Sequence, residues 1–502
     1  MRADERAVGA HPRYIVGIDI GTQSIKAVVT DQNLKVAAIA SESYDVSYPK
    51  AGWAEQDPLL WESALPRVIA SALQKAGITP QSVAAIGVAG QLDGCIAVGR
   101  DGLPLEKCII WMDRRAVKQA ESVDAQSIRK KTGIIPDAGH MAAKVAWLKQ
   151  NGTITPSDVR CFHQPVSYLV SRLTDRHVFD RCLASTTMLY SLETQDYDPE
   201  LLAGFKIHRE EMPEIADADS AAGPLTALGS RLTGLPQGIP VAVGTGDDFS
   251  ATLGAGVVTP GQLVCVLGTA EVVGAIDRTL KIDEKGLVET HPFFDGSFFI
   301  ENPGWLSGGT LTWFLDTFRL SRVEELDELA SSVPAGSEGL LFLPALSGTM
   351  APEWNASARG CFYGLTPSHG LAHMARAVLE GCAFAMKDVL DRLVTMDVPI
   401  QSILLSGGGA KSTLWAQIRS DVSSLPVFIA ENKDTSPMGA VILAAVAGGL
   451  QPNVEAGARL VNHTSTSVQP NSKHAETYRK SYQRYRLLFE SLKPVFNEDA
   501  RG

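Results

Sequence analysis

Two segments of the chain carry a Gly-Thr turn between apolar runs, and an aspartate stands beside only one of them. The first, Tyr14 to Asp31, reads YIVGIDIGTQSIKAVVTD, with Asp19 just before the turn. The second, Gln262 to Ile276, reads QLVCVLGTAEVVGAI. Backbone N–H groups and a hydroxyl at such a tip suit phosphate oxygens. Two facing tips could hold the polyphosphate of ATP, with a metal ion beside Asp19, although any β-hairpin shows this pattern and other motifs must decide.

The composition is that of a globular protein without a basic surface. The chain has 502 residues, too many for one core, so two large domains are expected. Hydrophobic residues make up 45% of it and charged residues 20%, which is ordinary for a globular protein. The net charge is −11 and no Lys/Arg-rich run is present, so we expect no nucleic-acid partner.

The cysteines are scattered, odd in number and never spaced as CxxC. Their neighbours are apolar or small, which indicates reduced, mostly buried thiols in a cytoplasmic protein rather than disulfides or a zinc site. The seven residues are Cys95, Cys108, Cys161, Cys182, Cys265, Cys361 and Cys382.

Neither the N-terminus nor the longest apolar run indicates a membrane segment. The opening MRADERAVGAHP is charged and lacks an apolar core, so we expect a disordered tail and no secretory signal. The run from Met438 to Leu450 is too short to span a bilayer and predicts a buried helix.

Strand-like and helix-like segments alternate along the first half of the chain. The first hairpin is followed by a strand pattern at Val36–Ser43, an amphipathic helix pattern at Pro58–Lys75 and an apolar strand pattern at Val83–Ala89. A further helix is expected to begin in Arg114–Val123. This alternation predicts an α/β fold with a central sheet.

The second half begins beyond Gly244–Gly256, a run of glycines and small residues that predicts the junction between two lobes. A long helix is expected at Leu371–Val394, and an amphipathic one at Ala475–Leu492. Between them, the strand Ile403–Leu405 runs through three glycines into a helix at Ser412–Val422. Strand, glycine turn and helix N-terminus together suit contact with a nucleotide.

These motifs, in this order, resemble the FGGY family of carbohydrate kinases over residues 13 to 492, and within it the xylulokinases most closely. The resemblance implies two ribonuclease-H-like lobes of the actin/sugar-kinase/chaperone ATPase type, with a cleft between them. We expect the lobes at residues 13–250 and 251–495. The matching segments are IDIGTQSIKAVV, GWAEQDPLLW at Gly52 to Trp61, WMDRR at Trp111 to Arg115, GTGDD at Gly244 to Asp248, FLPALSG, ARGCFYGL and GGGAKSTLWAQIRSDV.

The resemblance also assigns a nucleotide site. Asp19 would hold Mg²⁺ against the phosphates of ATP. Lys26 either adds charge there or points to solvent. The residues that would contact ATP are Gly21, Thr22 and Gln23 in the first turn, Gly268 and Thr269 in the second, and Gly308, Gly408, Gly409, Ala410 and Thr413.

Asp247 is the expected general base, which would take the proton from the attacking sugar hydroxyl. The chemistry of the pair alone does not separate Asp247 from Asp248, and the assignment follows the family's glycine pattern. Asp248 stands at a position that contacts substrate in the family, where an amide is usual. Its alternative role is to cap the helix that begins near Ser250.

The sugar is expected mainly on the first lobe. Gln91, Leu92 and Asp93 lie in a loop where xylulokinases usually carry Met-His and glycerol kinases Arg-Glu. Asp93 would accept hydrogen bonds from substrate hydroxyls, or would only shape its Asp-Gly turn. Trp111 would pack on the carbon face of the sugar, or lie in the core. Asp113 and Arg115 are expected to form an ion pair.

The prediction is therefore phosphorylation of a pentulose such as D-xylulose by Mg·ATP in a cytoplasmic enzyme, with a homodimer possible. A polyol kinase or a kinase for another ketose is the alternative because of Leu92 and Asp93. A regulator that binds nucleotide without catalysis is a third reading of the same fold. Glu271 has no explanation at this stage, and His140, His163 and His177 are taken as structural or surface residues.

Overall fold

The computed structural model describes residues 13–152, 154–461 and 463–499. The tail predicted for residues 1–12 lies outside this range. Among the described residues, no helix combines the length and the apolar character needed to cross a membrane. All seven cysteines are free thiols and six of them are buried, as predicted.

The α-helices of the described chain are numbered in order. Helices α1 to α16 span Pro58–Ala76, Val117–Ala120, Ala125–Thr132, Met141–Asn151, Pro165–Thr174, Arg181–Ser185, Pro199–Phe205, Ala227–Thr233, Asp247–Gly254, Gly308–Phe318, Val323–Ser331, Leu371–Thr395, Thr413–Ser423, Thr435–Ala447, Val454–Val461 and Ala475–Asp499.

The strands are numbered in the same way. Strands β1 to β24 span Tyr14–Ile20, Ser24–Asp31, Val36–Ser43, Glu55–Gln56, Val83–Gly90, Ile96–Gly99, Cys108–Ile109, Val159–His163, Val178–Asp180, Tyr190–Ser191, Asp196–Tyr197, Glu214–Ala216, Ala221–Pro224, Pro240–Ala242, Thr245–Gly246, Gly261–Leu267, Ala270–Asp277, Glu289–Pro292, Phe298–Leu306, Leu341–Leu343, Cys361–Tyr363, Ile400–Ser406, Val427–Ala430 and Thr464–Val468.

Two seven-stranded mixed sheets organise the molecule, one from each half of the chain. The first has the order β13-β14-β5-β1-β2-β3, with β15 beside β5, and the second the order β18-β19-β17-β16-β22-β23-β24. In each, an antiparallel hairpin, β1–β2 or β16–β17, lies next to a parallel partner, β5 or β22. The predicted α/β fold with two lobes of one design is confirmed.

The crossing of α9 and α14 brings the two halves together. A Cβ atom on Gly254 would lie 1.9 Å from the carbonyl oxygen of Thr435, and one on Gly439 would lie 2.0 Å from that of Ser250. No side chain fits at these points, so the two helix backbones touch. Helix α14, which comes late in the sequence, thus packs against α9 of the first half.

Local sequence signals account for the strands and helices around the cleft. Apolar residues fill β1 and β5, which are buried on both faces, so these strands read as continuous apolar runs. Helix α1 begins where the Asp57 side chain accepts a hydrogen bond from the Leu59 N–H, and ends at Gly77 in a left-handed conformation. The predicted helix in Arg114–Val123 is reduced to the four residues of α2.

Candidate active site

The first Gly-Thr turn lies at the tip of the β1–β2 hairpin, next to the buried carboxylate of Asp19. Asp19 is buried, and its Oδ1 atom accepts a hydrogen bond of 3.0 Å from the Ser436 hydroxyl on α14. Burial raises the pKa of Asp19, and the Ser436 hydrogen bond partly offsets this. The turn is braced from behind, because the Tyr44 hydroxyl donates to the Gly21 carbonyl.

The second Gly-Thr turn is supported by the start of α10. The Gly309 N–H donates to the Thr269 carbonyl over 2.9 Å. A Cβ atom on Gly308 would lie 2.2 Å from the Gly268 carbonyl oxygen, so this helix start needs glycine to approach the turn. Gly268 and Thr269 themselves are exposed, so a ligand can reach this turn.

The glycine segment after β22 lies beside the second turn. A Cβ atom on Gly409 would lie 2.9 Å from the Leu267 Cβ atom, just before the turn. Gly408 and Thr413 are exposed, whereas Ala410 is buried. The structure therefore gathers the residues predicted to contact ATP from the second lobe.

Asp247 and Asp248 are the first two residues of α9, after the cap at Gly246. Both side chains are partly buried. Burial, then the charges of Asp248 and Asp19, raise the pKa of Asp247 well above the usual carboxyl range. Burial and the charge of Asp93 raise the pKa of Asp248 to about 7. The suggestion that Asp248 caps this helix is wrong, since Gly246 occupies the cap position.

Asp93 is held from three sides. Its N–H donates to Gln164 Oε1 over 2.8 Å, and its carbonyl accepts from Lys144 Nζ over 2.7 Å. Its Oδ2 atom lies 3.1 Å from Nδ1 of His140. Its Oδ1 atom is buried and has no hydrogen-bond partner. Asp93 adopts a left-handed backbone with φ of 59°, so it does shape the turn, but its carboxylate is fixed by other residues.

Hydrogen bonds join the loop of Gln91, Leu92 and Asp93, which we name the sugar loop, to the first Gly-Thr turn, which we name the first phosphate turn. Gln91 Nε2 donates to Gln56 Oε1, and Gln56 Nε2 donates to the Thr22 carbonyl, each over 2.7 Å. Trp111 Nε1 donates to the Thr22 hydroxyl over 3.0 Å. Because the Trp111 side chain is 39% exposed, the alternative that it lies in the core is wrong. Its ring is available to a ligand in the cleft.

The predicted ion pair behind this loop is confirmed. Arg115 Nη2 lies 2.7 Å from Asp113 Oδ2 and 2.8 Å from Glu55 Oε1. The guanidinium also lies over the ring of Trp53, 3.6 Å from its centroid. Asp113 additionally accepts the Ala54 N–H over 2.6 Å. This network holds the segment that carries Trp111.

His140 is buried and lies against Asp93. Its Nδ1 faces Asp93 and its Nε2 lies 3.0 Å from the Ile135 carbonyl. Both partners accept hydrogen bonds, so both ring nitrogens carry protons and the imidazole is charged. Burial alone lowers the pKa of His140, but the carboxylates of Asp93 and Glu289 outweigh it and raise the pKa well above its usual value.

The second lobe reaches His140 and Ser185 of the first lobe through β18. Glu289 Oε1 accepts the Ile135 N–H over 2.7 Å and lies 3.7 Å from His140 Nε2. His291 Nδ1 lies 2.8 Å from the Ser185 hydroxyl, and Glu301 is buried beside His291. Sequence reasoning missed these residues, because an acid or a histidine in a strand carries no motif.

Lys26 and Glu271 now have partners. Lys26 Nζ lies 2.7 Å from Asp434 Oδ1, so this lysine joins the first hairpin to the segment before α14 rather than pointing freely into solvent.

Glu271 and Arg419 form a fully buried ion pair, with Arg419 Nη2 2.7 Å from Glu271 Oε2. Glu271 thus ties the second hairpin to α13.

His163 and His177 lie next to each other, away from this site. His163 Nε2 lies 2.7 Å from His177 Nδ1, and the Cys161 thiol is near both rings. Burial lowers the pKa of both histidines.

The oxygen donors at the first hairpin fit Mg²⁺. Asp19 is an acidic side chain next to a turn rich in N–H groups, and Asp247 lies close enough for its charge to act on Asp19. Carboxylate oxygens, water and phosphate are the ligands that Mg²⁺ prefers. Asp19 would hold the ion, which would neutralise phosphate charge.

The fold and the cleft define a two-lobed phosphotransferase. Models of the FGGY family of carbohydrate kinases match the chain, the N-terminal domain at residues 14–254 and the C-terminal domain at residues 263–448. The chain belongs to this family and is an ATP-dependent carbohydrate kinase.

Its relatives differ in the substrate that they are named for. A glycerol kinase from Thermococcus gammatolerans is 30% identical over 449 residues, which cover 87% of this chain and 89% of the relative. The structures of a gluconate kinase and of a ligand-bound xylulose kinase from Lactobacillus acidophilus each have a TM-score of 0.90 and 29% identity, and each covers 97% of this chain and 99% of its own. The comparisons leave the substrate open between these classes.

Proposed function

We propose that this protein phosphorylates a pentulose such as D-xylulose, with Mg·ATP as donor and Asp247 as general base. The observation that carries the proposal is the position of Asp247. It begins α9, its charge interacts with that of Asp19 at the first phosphate turn, and Gly246 before it packs against Leu92 of the sugar loop. One carboxylate thus stands between the groups that would hold phosphate and those that would hold sugar.

Asp247 would act by taking a proton. The sugar hydroxyl forms a bond from its oxygen to the γ-phosphorus as the bond to the bridging oxygen of ADP breaks, and the hydroxyl proton goes to Asp247 Oδ. A carboxylate with a raised pKa has a high proton affinity, which suits this transfer. Mg²⁺ at Asp19 would supply neutralisation of phosphate charge.

Other residues would position the substrates. Thr22 and Gln23 from the first lobe, and Thr269 from the second, would donate to phosphate oxygens. Gly21 and Gly268 would shape the two turns, since their N–H groups already donate to the Ser24 and Val266 carbonyls. Asp93 Oδ1 would accept from a sugar hydroxyl, since its other polar atoms are engaged. Trp111 would cover a carbon face of the sugar.

D-Xylulose is favoured by the segment from Gly52 to Trp61, which resembles one typical of xylulokinases, and by the structural likeness to a xylulose kinase. Leu92 and Asp93 favour the second candidate, a polyol or another ketose. Asp93 is an acid, as is the glutamate that glycerol kinases place in this loop.

A substrate panel tests the proposal. ADP release is measured with Mg·ATP and each of several pentuloses, polyols and hexoses, with ATP alone as blank. We expect the highest kcat/KM for D-xylulose. A higher value for a polyol or another ketose supports the second candidate, and no sugar-dependent release with any compound contradicts both.

A further inference from the structure

Among the described residues, three buried hydrogen-bond acceptors around the proposed sugar site lack a partner. Asp93 Oδ1 and Gln91 Oε1 from the first lobe, and Glu301 Oε2 from the second, are buried and have no hydrogen-bond partner. Burying such atoms unpaired costs about 1–3 kcal/mol each. A ligand that binds here must therefore bring several hydrogen-bond donors.

The cations near these atoms are already engaged. His140 directs one N–H to Asp93 Oδ2 and the other to the Ile135 carbonyl. Lys144 Nζ donates to the carbonyls of Asp93 and Ile110 over 2.7 and 2.9 Å. His140 therefore has no N–H left for a ligand anion, and Lys144 has one.

Glu301 is the member of this set that comes from the second lobe. It pairs with Glu289 across β18 and β19, and its Oε1 lies 3.6 Å from His291 Nε2, beyond a normal hydrogen bond. Burial, then the charges of Asp248, Glu289, Asp247 and Asp93, raise the pKa of Glu301 well above its usual range. The acids around Glu301 thus favour the protonated form of its carboxyl.

We propose that Asp93 and Glu301 select a neutral, hydroxyl-rich substrate from opposite lobes and reject aldonates. This inference rests on the proposed sugar-kinase function and narrows its substrate class. A hydroxyl both donates and accepts, so a sugar can satisfy Asp93, Gln91 and Glu301 together. A carboxylate such as that of gluconate only accepts, and it enters a pocket that already holds Asp93, Asp247 and Asp248.

The first test compares D-gluconate with neutral sugars. Mg·ATP-dependent ADP release is measured with D-gluconate, D-xylulose, D-ribulose, xylitol and glycerol. Like charges placed together cost several kcal/mol, so we expect kcat/KM for gluconate at least about 100-fold below that of the best neutral compound. Gluconate turnover equal to or above the neutral compounds overturns the inference and leaves a sugar kinase in place.

Substitutions of Asp93 and Glu301 test whether these two residues cause the preference for a neutral sugar over gluconate. Asp93→Asn removes one charge and adds a donor, and should narrow the ratio between neutral sugar and gluconate by about tenfold. Glu301→Leu should raise the KM for the neutral sugar by about tenfold, whereas Glu301→Gln, which keeps a donor and an acceptor, should stay close to wild type. Exposed Glu455 provides the control, because Glu455→Gln removes a charge far from the pocket.

Two further outcomes are decisive. In the first, Asp93→Asn changes the ratio of kcat/KM between neutral sugar and gluconate no more than Glu455→Gln does, and Glu301→Leu likewise leaves the KM for the neutral sugar unchanged. In that case these residues do not select the substrate. If no compound is turned over, the proposed kinase function fails, and calorimetric binding to the wild-type protein decides the inference separately. A protein that binds xylitol or D-xylulose but does not bind gluconate then supports the inference. A protein that binds gluconate, or none of the compounds, overturns the inference.

Discussion

Asp247 and Asp248 are adjacent carboxyl groups in different surroundings, and the proposed chemistry depends on that difference. Asp247 interacts with Asp19 at the phosphate turn, and Asp248 with Asp93 in the sugar loop. We therefore assign proton transfer to Asp247, next to the phosphate turn, and substrate binding to Asp248, next to the sugar loop. Asp247 and Asp248 are the same type of residue, so their different positions in the cleft are the basis for giving them different roles.

The pH dependence of turnover tests this separation. The proposed mechanism needs deprotonated Asp247, so it predicts that kcat/KM falls as the pH drops through the pKa of this residue. The negative charge of Asp248 is one cause of the raised pKa of Asp247. Asp248→Asn removes that charge, so the pKa of Asp247 falls and the acid limb of the profile moves to lower pH. A limb that stays in place, or moves to higher pH, contradicts the proposed coupling.

His140 offers a matched pair of substitutions. Asparagine can place its amide N–H near the position of Nδ1, facing Asp93, and glutamine near that of Nε2, facing the Ile135 carbonyl. Loss of a hydrogen bond to a charged group costs about 1.5–3 kcal/mol, so His140→Gln should raise the KM for sugar by about tenfold or more. His140→Asn should raise it less.

The KM for ATP is the internal control for this pair, since His140 contacts no residue of the proposed nucleotide site. A purely structural role of His140 predicts equal losses in both variants. Steady-state kinetics in both substrates, with the thermal unfolding temperature of each variant, separate these cases.

At the scale of elements, buried polar contacts fix the segments that would hold ATP. The Glu271–Arg419 pair joins β17 to α13, and the Ser406 hydroxyl meets that of Thr435 over 3.2 Å at the start of α14. Ser436, the next residue, reaches Asp19. The start of α14 therefore touches both the first phosphate turn and the strand that leads to the glycine segment.

Breaking the Glu271–Arg419 pair should cost stability and nucleotide affinity together. Glu271→Gln leaves the Arg419 guanidinium buried without a counter-charge, which costs about 3–5 kcal/mol. We expect a lower unfolding temperature and a higher KM for ATP, measured by calorimetry and steady-state kinetics. The double variant Glu271→Leu with Arg419→Met should regain much of the stability, and a single variant as stable as wild type would contradict this account.

At the scale of the whole molecule, the sequence predicted the two lobes and the helices around the cleft. Hairpins such as β1–β2 and long helices such as α12 follow from local apolar patterns and turn residues. The contacts of Asp93 with His140, and of Ile135 with Glu289, join residues far apart in sequence, and Ile135 and Glu289 are separated by 154 positions. No local pattern encodes such pairs, so the acid-lined pocket emerged only from the fold.

The two lobes depend on each other at the cleft. Lys26 and Asp19 of the first hairpin contact Asp434 and Ser436, and Glu289 of the second lobe contacts the loop that carries His140. Closure around substrates would exclude water from Asp247. Catalysis is thus expected from the assembled cleft.

The central claim is that Asp247 drives phosphoryl transfer to a sugar hydroxyl. Its most direct test is sugar-dependent ADP release by the wild-type protein and by Asp247→Asn, with ATP binding measured by calorimetry on both. The account predicts that the variant binds ATP as the wild type does and that kcat falls about 100- to 10,000-fold, the usual share of a general base. Wild-type turnover in Asp247→Asn would contradict it.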